Sequence, residues 1–192
     1  MAIPLHEALE NGHIDVIRLL IEYGADINKK DKWRRTPLRR ASQNGNIDAI
    51  RLLIDTGADV NKKCESGWTL LHEAPYWDRT DIIQLLIDAG ADVNVKDNYR
   101  STSLHRASLM GCINAAKLLI DHGANVNEKD GGGHIPLHEA SLHGHTDTIR
   151  LLIEHGANIN EKDKWGGTPL LYASCKDHTD AVQLLKEHGA HK

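Results

Sequence analysis

The chain has 192 residues, with 23 Lys and Arg against 27 Asp and Glu, and a formal net charge of −4 with histidine neutral. That length suits one ordinary domain, no apolar stretch approaches the roughly eighteen residues needed to cross a bilayer, and the mild acidity argues against a protein built to coat nucleic acid. Cys64, Cys112 and Cys175 lack C-x-x-C spacing, which indicates neither a disulfide framework nor a zinc module.

Six glycines, Gly24, Gly57, Gly90, Gly123, Gly156 and Gly189, stand thirty-three residues apart without insertion or deletion. A fixed period of this size signals a stack of small identical units. The chain reads as a single domain over 1–192, with repeats at about 1–31, 32–64, 65–97, 98–130, 131–163 and 164–192. Aligned on the glycines, Leu5, Leu38, Leu71, Leu104, Leu137 and Leu170 fill one column and Ala8, Ala41, Ala74, Ala107, Ala140 and Ala173 another. Leu-Leu pairs from Leu19-Leu20 to Leu184-Leu185 follow Val, Ile or Ala at helical offsets, so two helices per unit are predicted.

The first unit begins at Ile3-Pro4-Leu5 without a finger of its own. Gly12 ends its first helix in the left-handed conformation, as Gly45, Gly111 and Gly144 do later. In the second unit Thr36 is placed to cap a helix and Pro37 to occupy its first position, where a missing N–H is no loss; Thr168-Pro169 repeats the device. The same unit carries Lys29, Lys30, Lys32, Arg34, Arg35, Arg39 and Arg40 with only Asp31 opposed, a basic end on an acidic chain. The third unit departs most from the pattern. Pro75 stands inside its first helix, where it removes a hydrogen bond at a cost of about 3 kcal/mol unless the helix bends, and Asp78 replaces the terminating glycine. In the fifth unit Gly131-Gly132-Gly133 lacks the Lys-Ser/Thr of a phosphate loop and reads as a turn. In the last unit Lys186 replaces the column of Ile21, Ile54, Ile87, Ile120 and Ile153, so Leu185 to Lys192 is expected to close the array with a polar face, and both ends read as complete.

Thr36-Pro37-Leu38, Ile135-Pro136-Leu137-His138-Glu139-Ala140 and Gly156-Ala157-Asn158-Ile159-Asn160 followed by Asp163 resemble the ankyrin repeat, over nearly all of residues 3–190. The resemblance implies an all-α repeat solenoid of antiparallel helix pairs joined by short β-hairpin fingers, and a role in binding rather than catalysis. It also implies that His6, His72, His105 and His138 brace the fingers by hydrogen bonds to backbone. Arg39 takes that histidine's place in the second unit, so the second finger is expected to be less firmly held. Arg34 and Arg100 stand where the family prefers glycine. The segments ending at Asn61, Asn94, Asn127 and Asn160 resemble sites that asparaginyl hydroxylases modify.

The histidine column offers no metal site, because neighbouring repeats lie about 8–10 Å apart whereas zinc ligands converge within about 2.1 Å. Neither Cys112 nor Cys175 makes a convincing nucleophile, and no acid, base and nucleophile set emerges, so neither enzymatic activity nor a metal or cofactor is expected. A further column, Glu7, Arg40, Glu73, Arg106, Glu139 and then Tyr172, alternates in sign and suggests a ladder of ion pairs along the first helices.

All four tryptophans fall in columns that vary between units, and an aliphatic core has no slot for them. They either pack on neighbouring fingers or form a recognition surface. The second reading assigns partner binding to Trp33, Arg34, Arg35, Trp68, Tyr76, Trp77, Tyr99, Arg100, Leu109, Met110 and Trp165, on the concave side. The expected partner is another protein with an acidic and apolar surface, bound by a monomer; membrane association is not expected. The alternative is a nucleic-acid or phospho-ligand docking at the Lys29–Arg40 end, with nucleic acid disfavoured by net charge. Met1 to Leu9 is too short and acidic for a secretory leader, so the expected location is the cytoplasm or another intracellular compartment.

Overall fold

The computed structural model describes residues 4–77 and 79–191; the features expected at Ile3, Asp78 and Lys192 lie outside them. Among the described residues twelve α-helices follow one another in pairs: α1 (Pro4–Asn11) and α2 (Ile14–Glu22), α3 (Pro37–Asn44) and α4 (Ile47–Asp55), α5 (Leu70–Glu73) and α6 (Thr80–Asp88), α7 (Ser103–Met110) and α8 (Ile113–Asp121), α9 (Pro136–Leu142) and α10 (Thr146–Glu154), α11 (Pro169–Cys175) and α12 (Thr179–Glu187). Thr36 and Thr168 cap α3 and α11 by accepting the N–H of Arg39 and Leu171 at 3.3 Å each. Gly45 and Gly111 end α3 and α7 in the left-handed conformation, at φ 70° and 69°.

The Leu5 and Ala8 columns are buried throughout and run as one interior from α1 to α11. First helices stack on first helices, α1 on α3 and α5 on α7 on α9 on α11, and α2 on α4 and α6 on α8 on α10 on α12 stack behind them. Contact is thinnest where the second pair meets the third. Burying each leucine contributes about 1.5–3 kcal/mol, repeated in every unit. Of the Leu-Leu pairs, Leu53, Leu86, Leu119 and Leu152 are fully buried while Leu52, Leu85 and Leu118 are only partly covered, since adjacent helical residues diverge by about 100°. Lys186 is exposed as expected. At the opposite end α2 departs from the expected polar face, with Val16 46% and Leu19 52% exposed.

Pro75 acts as anticipated. α5 stops after four residues, and Ala74–Trp77 tightens into a 3₁₀ turn. The tighter winding rotates successive residues by about 120° instead of 100°. Trp77 thereby turns inward and packs against the core, which corrects the expectation that it faces outward with the other rings.

No strand forms among the described residues. Where hairpin fingers are expected, the chain makes five-residue turns, closed by Asp31 N–H to Arg35 O, Cys64 to Trp68, Asp97 to Ser101, Asp130 to His134 and Asp163 to Gly167, at 2.9–3.0 Å. Four of these five turns are tied to the unit before them by a histidine. His6, His72, His105 and His138 donate from Nε2 to the carbonyls of Arg35, Ser101, His134 and Gly167, each 29 residues ahead at 3.1–3.3 Å. The brace therefore reaches the next finger and not its own. Replacement of histidine by Arg39 removes a brace from the third finger, which corrects the expectation for the second. Burial pushes the pKa of His72, His105 and His138 down, consistent with neutral rings that donate from one nitrogen.

Candidate functional site

The fingers share a local device. In four of them an aspartate accepts the N–H groups two and four residues on: Asp31 from Trp33 and Arg35, Asp97 from Tyr99 and Ser101, Asp130 from Gly132 and His134, Asp163 from Trp165 and Gly167, all at 2.8–2.9 Å. This turn leaves the side chain two residues after the aspartate at the finger tip. Trp33, Tyr99 and Trp165 occupy that position and are 59%, 69% and 75% exposed. Their projection is a consequence of turn chemistry, reached without loosening the core.

The rings have different surroundings. Trp33 lies among cations, with Lys32 Nζ at 4.1 Å and Arg35 Cζ at 4.4 Å from its ring centre. Such exposed contacts contribute about 0.5–1 kcal/mol each. Trp165 rests against Gly132, where a β-carbon would meet Cζ3 at 3.2 Å, and meets His134 edge-on at 6.0 Å. Trp68 is half-buried, stacked on Tyr76 at 5.8 Å and covered by Arg106, whose Cζ is 4.5 Å from its ring. Its indole N–H is buried without a hydrogen-bond partner among the described residues. Leu109 is half-buried and Met110 exposed at the end of α7. Arg34 and Arg100 hold left-handed backbone at φ 63° and 62°, the conformation of Gly67, Gly133 and Gly166 in the other fingers. The ring contacts fall around Trp33, around Trp68 with Tyr76, and around Trp165.

The ion-pair ladder does not form. Arg40 pairs with Glu10 at 2.5 Å, Glu73 pairs with Arg39, and Arg106 pairs with Asp97 at 3.0 Å. Two residues of this column reach the finger base nine positions back in their own unit: Arg106 pairs with Asp97, and Tyr172 donates to Asp163 at 2.5 Å. That bond pushes the Tyr172 pKa up to about 12. In the fifth unit the two positions are Asp130 and Glu139, both acidic, and His134 compensates. Its Nδ1 lies 3.2 Å from Glu139, and its Nε2 lies 3.2 Å from Asp163 and 3.1 Å from the Tyr172 hydroxyl. The Glu139 bond, against the opposing effect of burial, raises the His134 pKa. Asp130, His134 and Glu139 place ligand-type atoms within 4.8 Å of one another. Both His134 nitrogens are already engaged in hydrogen bonds with Glu139, Asp163 and Tyr172, so the cluster reads as charge compensation.

The basic end is also less basic than its composition. Arg34, Arg35, Arg39 and Arg40 are paired with Glu65, Asp31, Glu73 and Glu10. Burial opposes ionisation of Asp31, but the Arg35 and Trp33 N–H groups and the Arg35 guanidinium outweigh it and hold the carboxyl below its ordinary range. Lys29, Lys30 and Lys62 form no ion pair among the described residues. Lys30, Lys62, Lys63, Arg34 and Arg39 line a narrow cleft of about 20 Å³ between the second and third fingers, with Asp59 and Glu73 as its carboxylates, and Lys30, Arg34, Arg39 and Cys64 also border a wider hollow of about 340 Å³. Cys64 and Trp68 also line the narrow cleft. Cys64 takes the place of the turn aspartate. Burial alone would raise its pKa, but hydrogen bonds from Ser66 and Arg39 and the N–H groups of Ser66 and Trp68 bring it below the ordinary thiol value. Lys62, Lys63, Cys64 and His134 carry no motif, and their signal lies in departures from the column each occupies.

The asparagines proposed for modification bridge units. Asn61, Asn94 and Asn127 donate from Nδ2 to Gly90, Gly123 and Gly156 O at 2.9–3.0 Å while Oδ1 accepts the N–H of Asp92, Asn125 and Asn158. Asn160 does the same to Gly189 and His191.

Among known proteins, a family model described as ankyrin repeats (3 copies) matches residues 5–97, 62–130 and 104–192. A segment of 33 residues is 52% identical to part of the serine/threonine-protein kinase VIK of Arabidopsis thaliana, covering 17% of this chain and 8% of that protein. The match is too short to carry that protein's activity to this chain. No helix among the described residues is long and apolar enough to cross a membrane.

Proposed function

The chain belongs to the ankyrin-repeat family, and we propose that its six thirty-three-residue units form a non-enzymatic adaptor, scaffold or inhibitor binding a partner protein. Ankyrin repeats generally mediate protein–protein interaction, and the fold is typically non-enzymatic. The observation that carries this reading is the exposure of Trp33, Tyr99 and Trp165 at finger tips pinned by aspartate turns. Large exposed rings on a rigid frame bind with little loss of conformational entropy, and truncating such a residue at an interface commonly costs about 2 kcal/mol or more. Tyr76, Arg35, Arg100, Leu109 and Met110 extend the same surface, and the cations around Trp33 favour a partner that is acidic as well as apolar. We read the protein as a monomer acting inside the cell, with Asn61, Asn94, Asn127 and Asn160 as candidate hydroxylation sites.

Affinity capture from the native cell followed by cross-link mapping tests this reading. Cross-links concentrated on the fingers and first helices support it; cross-links confined to α2, α4, α6, α8, α10 and α12 contradict it.

A further inference from the structure

We propose that the cleft between the second and third fingers is a phosphate-monoester site, which takes a phosphorylated side chain of an extended partner segment; this rests on the protein-binding role proposed above. The junction between the second and third fingers differs in charge from the last two junctions of the array. Further along the chain, a lysine of one finger pairs with a glutamate of the next: Lys96 with Glu128 at 2.6 Å and Lys129 with Glu161 at 2.8 Å. In the glutamate's column, which reads Lys29, Lys62, Val95, Glu128 and Glu161, the second junction sets Lys62 beside Lys30 along one cleft. Three more departures converge on the cleft: Cys64 replaces a turn aspartate, Arg39 replaces a bracing histidine, and Arg34 replaces a turn glycine.

All four changes move charge in one direction. Each adds a cation or removes an anion, so five cationic side chains line a cleft on a chain whose net charge is −4. Its two carboxylates are already engaged, Glu73 by Arg39 and Asp59 by the N–H of Asn61 at 2.9 Å. Arg34 is held only by an exposed pair with Glu65, whose side chains are 67% and 73% accessible, so a phosphate can displace that contact at little cost. Lys30 and Lys62 form no ion pair among the described residues, and a bound anion relieves the repulsion between such neighbouring like charges. A phosphate monoester carries about two charges and three acceptor oxygens, enough for donors arriving from both fingers, whereas a carboxylate offers two.

The test uses the intact chain. Phenyl phosphate titrated into ¹⁵N-labelled protein should shift the amides of Lys30 and Lys62 to Thr69, and a degenerate phosphothreonine peptide library should be retained at least about tenfold over its unphosphorylated counterpart. Lys62→Glu recreates the lysine–glutamate pairing of the later fingers, so it should melt no lower than the parent while losing the phosphate preference; Cys64→Asp should act in the same direction. Absence of amide shifts, equal retention of the two libraries, or a Lys62→Glu variant that keeps the preference would each overturn the proposal. A single-stranded oligonucleotide bound more tightly than the phosphopeptides, with steep salt dependence, would overturn the peptide assignment. The two readings fail separately: a partner that cross-links to the fingers of wild type and Lys62→Glu alike, whether or not it is phosphorylated, removes the phosphate site and keeps the protein-binding role.

Discussion

His105 donates from Nε2 to the carbonyl of His134 at 3.1 Å, joining residues 29 apart and holding the fifth finger to the fourth helix pair. Its Nδ1 accepts the N–H of Thr102 at 3.1 Å, so one neutral ring satisfies two buried backbone groups. His105→Ala leaves both without that partner and should cost about 1–3 kcal/mol. Urea denaturation measures this, and hydrogen exchange should place the largest loss of protection at residues 130–134. A variant as stable as the parent would show that the brace is dispensable.

Histidines act on stability in opposite directions. His72, His105 and His138 have pKa values below the unfolded 6.5, so their contribution is present above that value and lost as pH falls through the folded values. His134 has a raised pKa, so its contribution is complete below 6.5 and lost as pH rises through the folded value. His134→Ala should therefore destabilise most at the acid side and progressively less toward alkaline pH. Denaturation curves between about pH 5.5 and pH 9 read this out; a penalty independent of pH would contradict the raised pKa of His134.

Arg106 offsets the charge of Asp97, whose side chain is 0% exposed, and covers the ring of Trp68. Arg106→Glu places two carboxylates together and should cost about 3–5 kcal/mol, the range for breaking a buried pair. Trp68 fluorescence should change with it. An unchanged unfolding curve would mean that the finger base tolerates the charge.

Trp68 and Trp33 should separate in their effects. Trp68→Ala removes a half-buried ring stacked on Tyr76 and should cost about 2 kcal/mol, whereas Trp33→Ala, at an exposed tip, should cost only about 1 kcal/mol, the loss of its exposed cation contacts. Thermal melts of the two variants decide the matter, and equal losses would place Trp33 in the fold.

The helices, their caps and the buried columns are legible in the sequence because each depends on local chemistry repeated at a fixed period. Thr36-Pro37 starts a helix wherever it stands, and Pro75 shortens one. Pairing is less legible. Glu73 and Arg106 sit in adjacent units of an alternating column, yet each finds a nearer partner that spacing alone does not reveal. Trp77 turns inward because the helix ahead of it unwinds, a change in direction that composition does not carry. The basic cleft lies between these cases: Lys62 and Cys64 are visible as departures from their columns, but the cavity they line exists only once the fingers are stacked.

The central claim is that the finger-tip rings serve a partner and not the fold. The variant carrying Trp33→Ala, Tyr99→Ala and Trp165→Ala together, compared with the parent in thermal melting and in capture of the cross-linked partner, tests it most directly. The account predicts a melting curve close to the parent's and loss of the partner; a variant that unfolds, or one that keeps the partner undiminished, would contradict it.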